Sequence, residues 1–249
     1  MVTGAGRGLG RSIALALAHE GARLLVTSRT KADLDSLTAE LKKASSQPHA
    51  ALALDITRQE GPGELIQWLE SLQASPEIVV HNVGGNLDIT DPFCTIEDWR
   101  RVMRINVEVA VELNRVLIPR MQKVRWGRVV HVSSISAWEN QGPPSYCAAK
   151  AALTAYVRSM GRFVAKDGVV LTSILPGAVL TKDGYWDIAS KERPEHVEQY
   201  LKERMAIQRF GTPEEISGLA TFLCSDLASF CIGSAFLADG GQGRTFAYE

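Results

Sequence analysis

The sequence predicts an α/β fold: one doubly wound domain in which a parallel sheet of about seven strands is covered by helices on both faces. Short β-rich segments alternate with segments of helical periodicity along the whole chain. The 249 residues, 45% of them hydrophobic, suit one large domain or two small ones. No linker rich in Pro, Gly or Ser divides the chain, so we expect residues 1–249 to form a single domain.

The first unit of the chain is a strand, a glycine-rich turn, a helix and a second strand. Residues 1–3 form the opening strand, which is short against the usual length of about five or six residues. The glycines between Gly4 and Gly10 let the backbone approach a phosphate closely. The helix over residues 12–19 presents its free N–H groups and positive dipole end to an anion, and residues 23–27 form the second strand.

The same alternation continues to the end of the chain. Leu34, Leu37 and Leu41 recur at a spacing of three and four residues, which is typical of one helix face. The further helices are predicted over residues 31–43, 64–72, 97–121, 145–166 and 213–224. The further strands are predicted over residues 50–54, 77–80, 128–132, 169–174 and 234–238. Residues 183–208 are a charged, helical insertion whose position favours a substrate lid over a merely solvated helix face.

The composition excludes several classes of function. The 27 basic and 28 acidic residues leave a net charge of −1, so neither a nucleic acid nor a membrane surface is an expected partner. No run of about eighteen apolar residues could span a membrane, and early glycines and arginines argue against a secretory signal. The four cysteines have neither a C-x-x-C spacing nor a histidine cluster beside them. We therefore expect reduced thiols in a cytoplasmic protein and no metal site.

Glycines and polar residues collect where the predicted strands end. These are residues 4–10, 82–85 and 176–181, together with Ser28, Arg29, Asp55 and Ser134. Ligands of doubly wound sheets bind at the carboxyl ends of the strands. The sequence therefore predicts a ligand site at this edge of the sheet.

Tyr146 and Lys150 follow the strand end at Ser134 and lie on one helix face, because they are four residues apart. An unperturbed tyrosine has a pKa of about 10, and lowering it to about 7 takes roughly 4 kcal/mol of phenolate stabilisation. A neighbouring ammonium and a hydroxyl donor act in that direction. The same spacing also occurs on ordinary helices with a surface Tyr and a surface Lys, so the interpretation depends on the rest of the chain.

Several segments, in order along the chain, match one known family. They are T-G-A-G-R-G-L-G at residues 3–10, N-V-G at 82–84, Asn106, Ser134 with Tyr146 and Lys150, P-G-A-V-L-T at 176–181, and D-G-G at 239–241. With these segments the chain resembles the classical subfamily of short-chain dehydrogenases/reductases, and most of all its 3-oxoacyl-acyl-carrier-protein reductase branch. The resemblance extends from end to end and implies a Rossmann fold.

The resemblance implies a catalytic tetrad of Asn106, Ser134, Tyr146 and Lys150. In that family Tyr146 would be the general acid in carbonyl reduction and the base in alcohol oxidation. Ser134 would bind the substrate oxygen and stabilise charge on it. Lys150 would lower the tyrosine pKa and hold the nicotinamide ribose, and Asn106 would hold a water of a proton relay. Ser133 is the competitor for the serine role, but it should point to the other face of the strand end.

A nicotinamide cofactor is implied as well, and the charges favour NADP(H) over NAD(H). In dinucleotide folds an acid after the second strand binds the ribose 2′-OH, whereas a basic residue accommodates a 2′-phosphate. Ser28 occupies this position, followed by Arg29, and Arg7 lies in the glycine turn; the alternative is that Arg29 is a solvated loop charge. The expected cofactor-binding residues are Gly4, Arg7, Gly8, Leu9, Gly10, Ser28, Arg29, Asp55, Ile56, Asn82, Gly84, Tyr146, Lys150, Pro176, Gly177, Val179 and Thr181.

Two histidines depart from the family pattern. His81 stands where the family often has an asparagine, and His131 lies three residues before Ser134. Both should lie near the ends of neighbouring strands. They could form a catalytic or pH-sensing pair, but hydrogen-bonded core histidines are the favoured interpretation.

The substrate is expected to be a small molecule, with 3-oxoacyl thioester reduction as the first hypothesis. In the resembling branch, basic residues dock an acidic carrier, and Arg125 and Arg128 are the candidates for that role. The pocket should be walled by residues 86–88, 136–141 and 178–179 and by the insertion. Polar residues within 136–141 favour the alternative, a small polar ketone, alcohol or sugar derivative. Outside the enzymes, the alternative is a non-catalytic scaffold that senses NADP(H). Family members imply a homotetramer or homodimer.

Overall fold

The computed structural model describes residues 1–244. Residues 245–249, which the predicted domain includes, lie outside the described residues. Within residues 1–244, no helix is long and apolar enough to cross a membrane.

In the described part of the chain, seven parallel strands form a single sheet. They are β1 (Val2–Thr3), β2 (Leu25–Ser28), β3 (Ala50–Ala53), β4 (Ile78–His81), β5 (Gly127–Val132), β6 (Val169–Pro176) and β7 (Ala235–Ala238). Their order in the sheet is β3-β2-β1-β4-β5-β6-β7. The predicted fold class is therefore confirmed. The chain direction across the sheet reverses between β1 and β4, where doubly wound sheets form a ligand crevice.

The opening strand is short but central. Val2 pairs with Val26 on one side and with Val80 on the other. Because both neighbouring strands are longer, they hold this two-residue strand in register. The glycine turn consequently begins in the middle of the sheet.

The helices lie on both faces of this sheet. They are α1 (Gly8–His19), α2 (Lys31–Ala44), α3 (Gly61–Ser71), α4 (Ile96–Met103), α5 (Val109–Val124), α6 (Pro144–Val164), α7 (Tyr185–Glu192), α8 (Pro194–Arg204) and α9 (Pro213–Leu223). Buried side chains of α1, α2 and α9 form one apolar cluster, and those of α3, α5 and α6 form a second. Full burial of one such side chain, for example Leu113, stabilises the fold by roughly 1.5–3 kcal/mol.

The helix predicted over residues 97–121 is not a regular α-helix. A π-helical segment, Arg104–Glu108, separates α4 from α5. Within it, the Asn106 side-chain amide donates to the Val102 carbonyl at 2.8 Å. The Asn106 side chain thus hydrogen-bonds a backbone carbonyl one turn earlier, and the helix widens at this turn.

The predicted insertion at residues 183–208 folds as two helices, α7 and α8. Pro194 starts α8 at a first-turn position, where a missing N–H costs little. An aromatic cluster joins the two helices: the Trp186 ring lies 4.2 Å from the Tyr200 ring and 4.8 Å from the Phe210 ring.

His81 and His131 belong to a buried hydrogen-bonded network. The Asn114 side-chain oxygen accepts from His81 Nε2 at 2.9 Å, and its amide donates to His131 Nε2 at 3.1 Å. The same amide donates to the Tyr156 hydroxyl at 3.2 Å, and the two imidazoles stack at 4.8 Å. These contacts agree with the favoured interpretation of hydrogen-bonded core histidines. His131 accepts through a ring nitrogen, so it is neutral in this network.

Burial lowers the pKa of His81 to about 4 from its ordinary 6.5, and it lowers the pKa of His131 as well. The unfolded chain therefore binds more protons than the folded chain as the pH falls through 6.5 toward 4. Stability is lost over this window. Urea unfolding at pH 7 and pH 5 measures how much the free energy of unfolding falls between these two pH values. In His81→Asn this fall should be smaller than in the wild type by about 2 kcal/mol.

His19→Asn, at the exposed end of α1, is the control for this experiment. It should follow the wild-type pH dependence. If His81→Asn and the wild type lose stability in parallel between these pH values, the buried histidine is not the group that titrates.

Candidate active site

A cavity of ≈ 680 Å³ opens along the carboxyl ends of the strands. Residues from the glycine turn, from the ends of β2 to β6, from α6 and from the start of the insertion line its walls. Of the predicted catalytic and cofactor-binding residues, only Gly10 and Asn106 are not on these walls. The predicted residues that line it are Gly4, Arg7, Gly8, Leu9, Ser28, Arg29, Asp55, Ile56, Asn82, Gly84, Ser134, Tyr146, Lys150, Pro176, Gly177, Val179 and Thr181.

The glycine turn forms one wall because its backbone adopts conformations that side chains disfavour. Gly4 and Gly8 have φ values of 64° and 57°, in the left-handed region. Gly10 lies behind the wall, where an added Cβ would meet the Gly4 carbonyl oxygen at 2.4 Å. Its role is close packing of α1 against the turn.

The amino end of α1 points its backbone at the cavity. Arg7 is the N-cap residue, and its side chain makes no capping hydrogen bond. The helix begins at Gly8, and both residues line the cavity. An uncapped helix start with adjacent glycines is suited to an anion such as a pyrophosphate.

Two exposed cations, Arg7 and Arg29, line the same cavity. The Ser28 hydroxyl accepts from the Thr30 amide at 3.2 Å, which holds the turn after β2. Asp55 accepts from the Thr57 amide at 2.9 Å and from the Thr57 hydroxyl at 2.6 Å. Partial burial opposes ionisation of Asp55, but the Thr57 hydrogen bonds and the Arg29 charge keep its pKa below the ordinary value.

Ser134, Tyr146 and Lys150 lie together on the cavity wall at the end of β5 and the start of α6. The Lys150 Nζ lies 5.6 Å from the Tyr146 ring centroid. Ser134 lies beside Tyr146 and lowers its pKa, and the Ser134 hydroxyl donates to the Ser136 hydroxyl at 3.0 Å. Ser134 follows the end of β5 and Tyr146 lies in the first turn of α6, so the strand end and the helix start bring the two hydroxyls together.

Burial governs the pKa values of this cluster. Lys150 is buried and donates to the Val132 carbonyl at 3.0 Å, and desolvation lowers its pKa to about 8. Burial raises the pKa of Tyr146 above 10, and the Ser134 hydrogen bond acts against it. Burial, and not the charge of Lys150, is thus the largest influence on the pKa of Tyr146 in this chain.

Asn106 lies behind Gly84. Its side chain donates to the Gly85 carbonyl at 2.8 Å and accepts from the Gly85 amide at 3.0 Å. An added Cβ on Gly84 would come within 2.8 Å of Asn106 Oδ1 and 2.9 Å of Lys150 Nζ. Asn106 therefore supports the loop after β4 and lies on the side of Gly84 where Lys150 lies.

Ser133 points away from the cavity's reactive end. Its hydroxyl donates to the Lys150 carbonyl at 3.3 Å and lies 3.0 Å from the Thr154 hydroxyl. Strand alternation thus separates the two serines, as expected, and leaves Ser134 facing Tyr146.

Part of the predicted substrate wall does not line this cavity. The walls of the ≈ 680 Å³ cavity do not include residues 86–88 or 136–141, and Ala178 lines a second, smaller cavity. Asp183, Gly184, Tyr185 and Trp186 line the cavity from the predicted insertion. The walls that sequence reasoning missed come from flanking positions: Thr27, Thr30, Asp33, Leu54, Thr57, Ile105, Val132, Ser133 and Lys182. Most of them adjoin predicted site residues, so the ends of the predicted segments were the available signal.

The two arginines expected at a carrier-docking entrance do not face the cavity. Arg128 is buried near the start of β5, whereas the cavity lies beyond the carboxyl end of that strand. Its guanidinium donates to the Ser225 carbonyl at 2.9 Å and pairs with Asp226 at 3.1 Å. Arg125 donates to the Lys166 carbonyl at 3.0 Å. Within one chain, both arginines make these bonds at the edge of the sheet opposite the cavity.

Comparison with known proteins agrees with this geometry. A family model described as enoyl-(acyl carrier protein) reductase matches residues 4–242. The 3-oxoacyl-[acyl-carrier-protein] reductase FabG of Pseudomonas aeruginosa is 30% identical over 97% of this chain and 96% of its own length. The crystal structure of L-sorbose reductase from Gluconobacter frateurii, complexed with NADPH and L-sorbose, superposes with a TM-score of 0.91 at 29% identity, covering 98% of this chain and 96% of that one. A 3-oxoacyl (acyl-carrier-protein) reductase from Agrobacterium tumefaciens with NADP bound gives a TM-score of 0.89 at 29% identity, covering 96% and 92%.

The fold, the cleft and these similarities define an oxidoreductase that acts on a CH–OH group of a small molecule. More narrowly, the chain belongs to the short-chain dehydrogenase/reductase family.

Proposed function

We propose that the protein is an NADP(H)-dependent oxidoreductase that interconverts a carbonyl group and a secondary alcohol, with Tyr146 as general acid and base. One observation carries this proposal. The buried Lys150 ammonium lies 5.6 Å from the Tyr146 ring, and Ser134 lies beside that tyrosine on the wall of the cavity that Arg7 and Arg29 also line.

The residues present suit a phosphorylated dinucleotide. The turn with Gly4 and Gly8 would hold the pyrophosphate against the start of α1. Arg7 and Arg29 would hold the 2′-phosphate, and Lys150 the nicotinamide ribose. A nicotinamide bound there would supply the hydride in reduction and take it in oxidation.

Tyr146 would handle the proton of the reaction. Because burial raises its pKa, the phenol is protonated at neutral pH and is ready to donate to a forming alkoxide. Ser134 would donate a hydrogen bond to the same oxygen and stabilise its developing charge. For alcohol oxidation, the phenolate would depend on the Ser134 hydrogen bond and the Lys150 charge. Asn106 would act through the loop at Gly84 and Gly85.

A 3-oxoacyl thioester is the first candidate substrate, since curated relatives such as the Pseudomonas aeruginosa enzyme reduce that class by name. A small polar ketone or sugar is the second. It is supported by the L-sorbose reductase similarity and by the occupied positions of Arg125 and Arg128. We also propose a homo-oligomer, supported by exposed apolar side chains such as Phe163 on α6 and Leu237 on β7.

NADPH oxidation with acetoacetyl thioesters and with a panel of sugar ketones, including L-sorbose, tests these candidates. If the first holds, carrier-free and carrier-bound thioesters should give kcat/KM values within about threefold, because Arg125 and Arg128 do not face the cavity. Turnover of sugar ketones alone would select the second candidate. NADPH binding without turnover of any substrate would contradict the enzyme and support a sensing scaffold.

A further inference from the structure

The last described residues contact three segments that lie next to the site. We call residues 239–244 the C-terminal clasp. The Asp239 carboxylate accepts from the Gly241 amide at 3.0 Å and from the Gly243 amide at 2.7 Å. These bonds fold the chain back after β7. The clasp is thereby directed toward α8 and the loop before Tyr146.

Gln242 lies at the centre of the clasp and is only 4% exposed. Its side-chain oxygen accepts from the Ala178 amide at 2.7 Å, and its side-chain nitrogen donates to the Tyr200 hydroxyl at 2.5 Å. A backbone N–H can only donate, so the bond to Ala178 fixes the orientation of the amide.

These two partners adjoin different walls of the cavity. Ala178 stands between Gly177 and Val179, which both line it. Tyr200 lies on α8 and packs at 4.2 Å against Trp186, which lines it from α7. One buried side chain therefore joins the loop after β6 to the insertion of residues 183–208, which we call the lid.

A second bridge lies beside the first. The Arg244 guanidinium donates to the Glu203 carbonyl at 2.7 Å, near the end of α8. The Arg244 amide donates to the Glu139 carboxylate, in the loop between Ser134 and Tyr146. The clasp thus contacts the lid, the loop after β6 and the loop that carries the catalytic segment.

We propose that Gln242 is a positioning residue that sets the lid over the substrate through Tyr200 and Trp186. This inference rests on the proposed function of the cavity. Loss of the Gln242 side chain should affect the lid more than the loop after β6, because backbone hydrogen bonds also hold that loop. The Gly177 amide donates to Ala238 at 3.1 Å, and the Leu180 amide donates to Gly211 at 2.9 Å.

Gln242→Ala tests the proposal. It should raise KM for the carbonyl substrate about fivefold to tenfold, with kcat and the Kd of NADPH each within about threefold. Trypsin should cleave after Lys191 and Lys202 at least about fivefold faster, because the lid opens more often. The proteolysis needs no turnover, so it judges the clasp even if the proposed reaction is wrong.

Gln242→Glu is the rescue variant. Neutral or ionised, a glutamate can accept from the Ala178 amide and bond the Tyr200 hydroxyl. It should restore KM and trypsin resistance to within about twofold of the wild type. Gln199→Ala is the matched control, since Gln199 bonds Glu203 on the exposed side of α8.

Tyr200→Phe keeps the ring packing and removes the hydroxyl. If the proposal holds, it should act like Gln242→Ala, and the double variant should be no worse than either single variant. The proposal is overturned if Gln242→Ala leaves both KM and lid cleavage unchanged. It is also overturned if kcat falls and KM does not, or if Gln242→Glu fails to rescue a variant that folds with the wild-type Tm.

Discussion

Replacing Tyr146 with Phe should lower kcat by about 10³-fold or more, while the Kd of NADPH stays within about twofold. The variant keeps the ring beside Lys150 and removes only the group that exchanges a proton with the substrate oxygen. Ser134 keeps its hydrogen bond to Ser136 and remains on the cavity wall. Initial rates of NADPH oxidation and fluorescence titration of NADPH measure the two quantities.

Tyr156→Phe is the matched control. Tyr156 lies on the same helix, but its hydroxyl bonds Asn114 in the core and does not line the cavity. Its kcat should stay within about threefold of the wild-type value. If Tyr146→Phe retains turnover, Tyr146 is not the general acid and base, and the proposed mechanism is contradicted.

Replacing Arg29 with Asp should change the preference for NADPH over NADH by about 10²- to 10³-fold, toward NADH. A guanidinium–phosphate hydrogen bond contributes roughly 1.5–3 kcal/mol, and an aspartate in its place would repel the 2′-phosphate and could accept from a ribose 2′-OH. Arg29 is exposed on the cavity wall, so the change should not disturb the core. The ratio of kcat/KM with the two cofactors is the measurement.

Arg23→Asp is the control for this charge change. Arg23 precedes β2, where it donates to the Pro48 carbonyl at 3.0 Å, whereas Arg29 follows the carboxyl end of the same strand. Both variants change the net charge equally, but only Arg29 lies at the cavity. A wild-type preference for NADH, or an equal effect of both variants, would contradict the proposed role of Arg29.

The sequence allowed the sheet edge to be predicted because its signals are local. A parallel strand ends where its apolar run ends, so Gly4, Ser28 and Ser134 could be assigned to one edge before their contacts were known. The four-residue spacing of Tyr146 and Lys150 likewise determines a shared helix face. These local rules are sufficient to place most of the predicted residues on one cavity.

What the sequence could not predict depends on contacts between distant segments. Asn106 bonds Gly85, 21 residues away, and so supports a loop behind the cavity wall. Arg128 pairs with Asp226, 98 residues away, which turns a candidate docking residue into a buried one. Gln242 reaches Ala178 across 64 residues. No periodicity or spacing within one segment specifies such pairs, because they follow from the path of the whole chain.

The effect of Lys150 on Tyr146 was also beyond sequence reasoning. The spacing predicts that an ammonium lies close to a phenol, but not how much of either group is desolvated. Burial lowers the pKa of Lys150 to about 8 and raises that of Tyr146. In this chain, burial is therefore the largest influence on both pKa values.

The most direct test of the central claim is to follow the hydride itself. The protein is mixed with NADPH deuterated at the transferable position of nicotinamide C4 and with a ketone from the panel, and the product is analysed by mass spectrometry. The proposed function predicts an alcohol with one deuterium on its carbinol carbon, and the loss of this product with Tyr146→Phe. An alcohol without that deuterium, or no alcohol from any ketone while NADPH is bound, would contradict it.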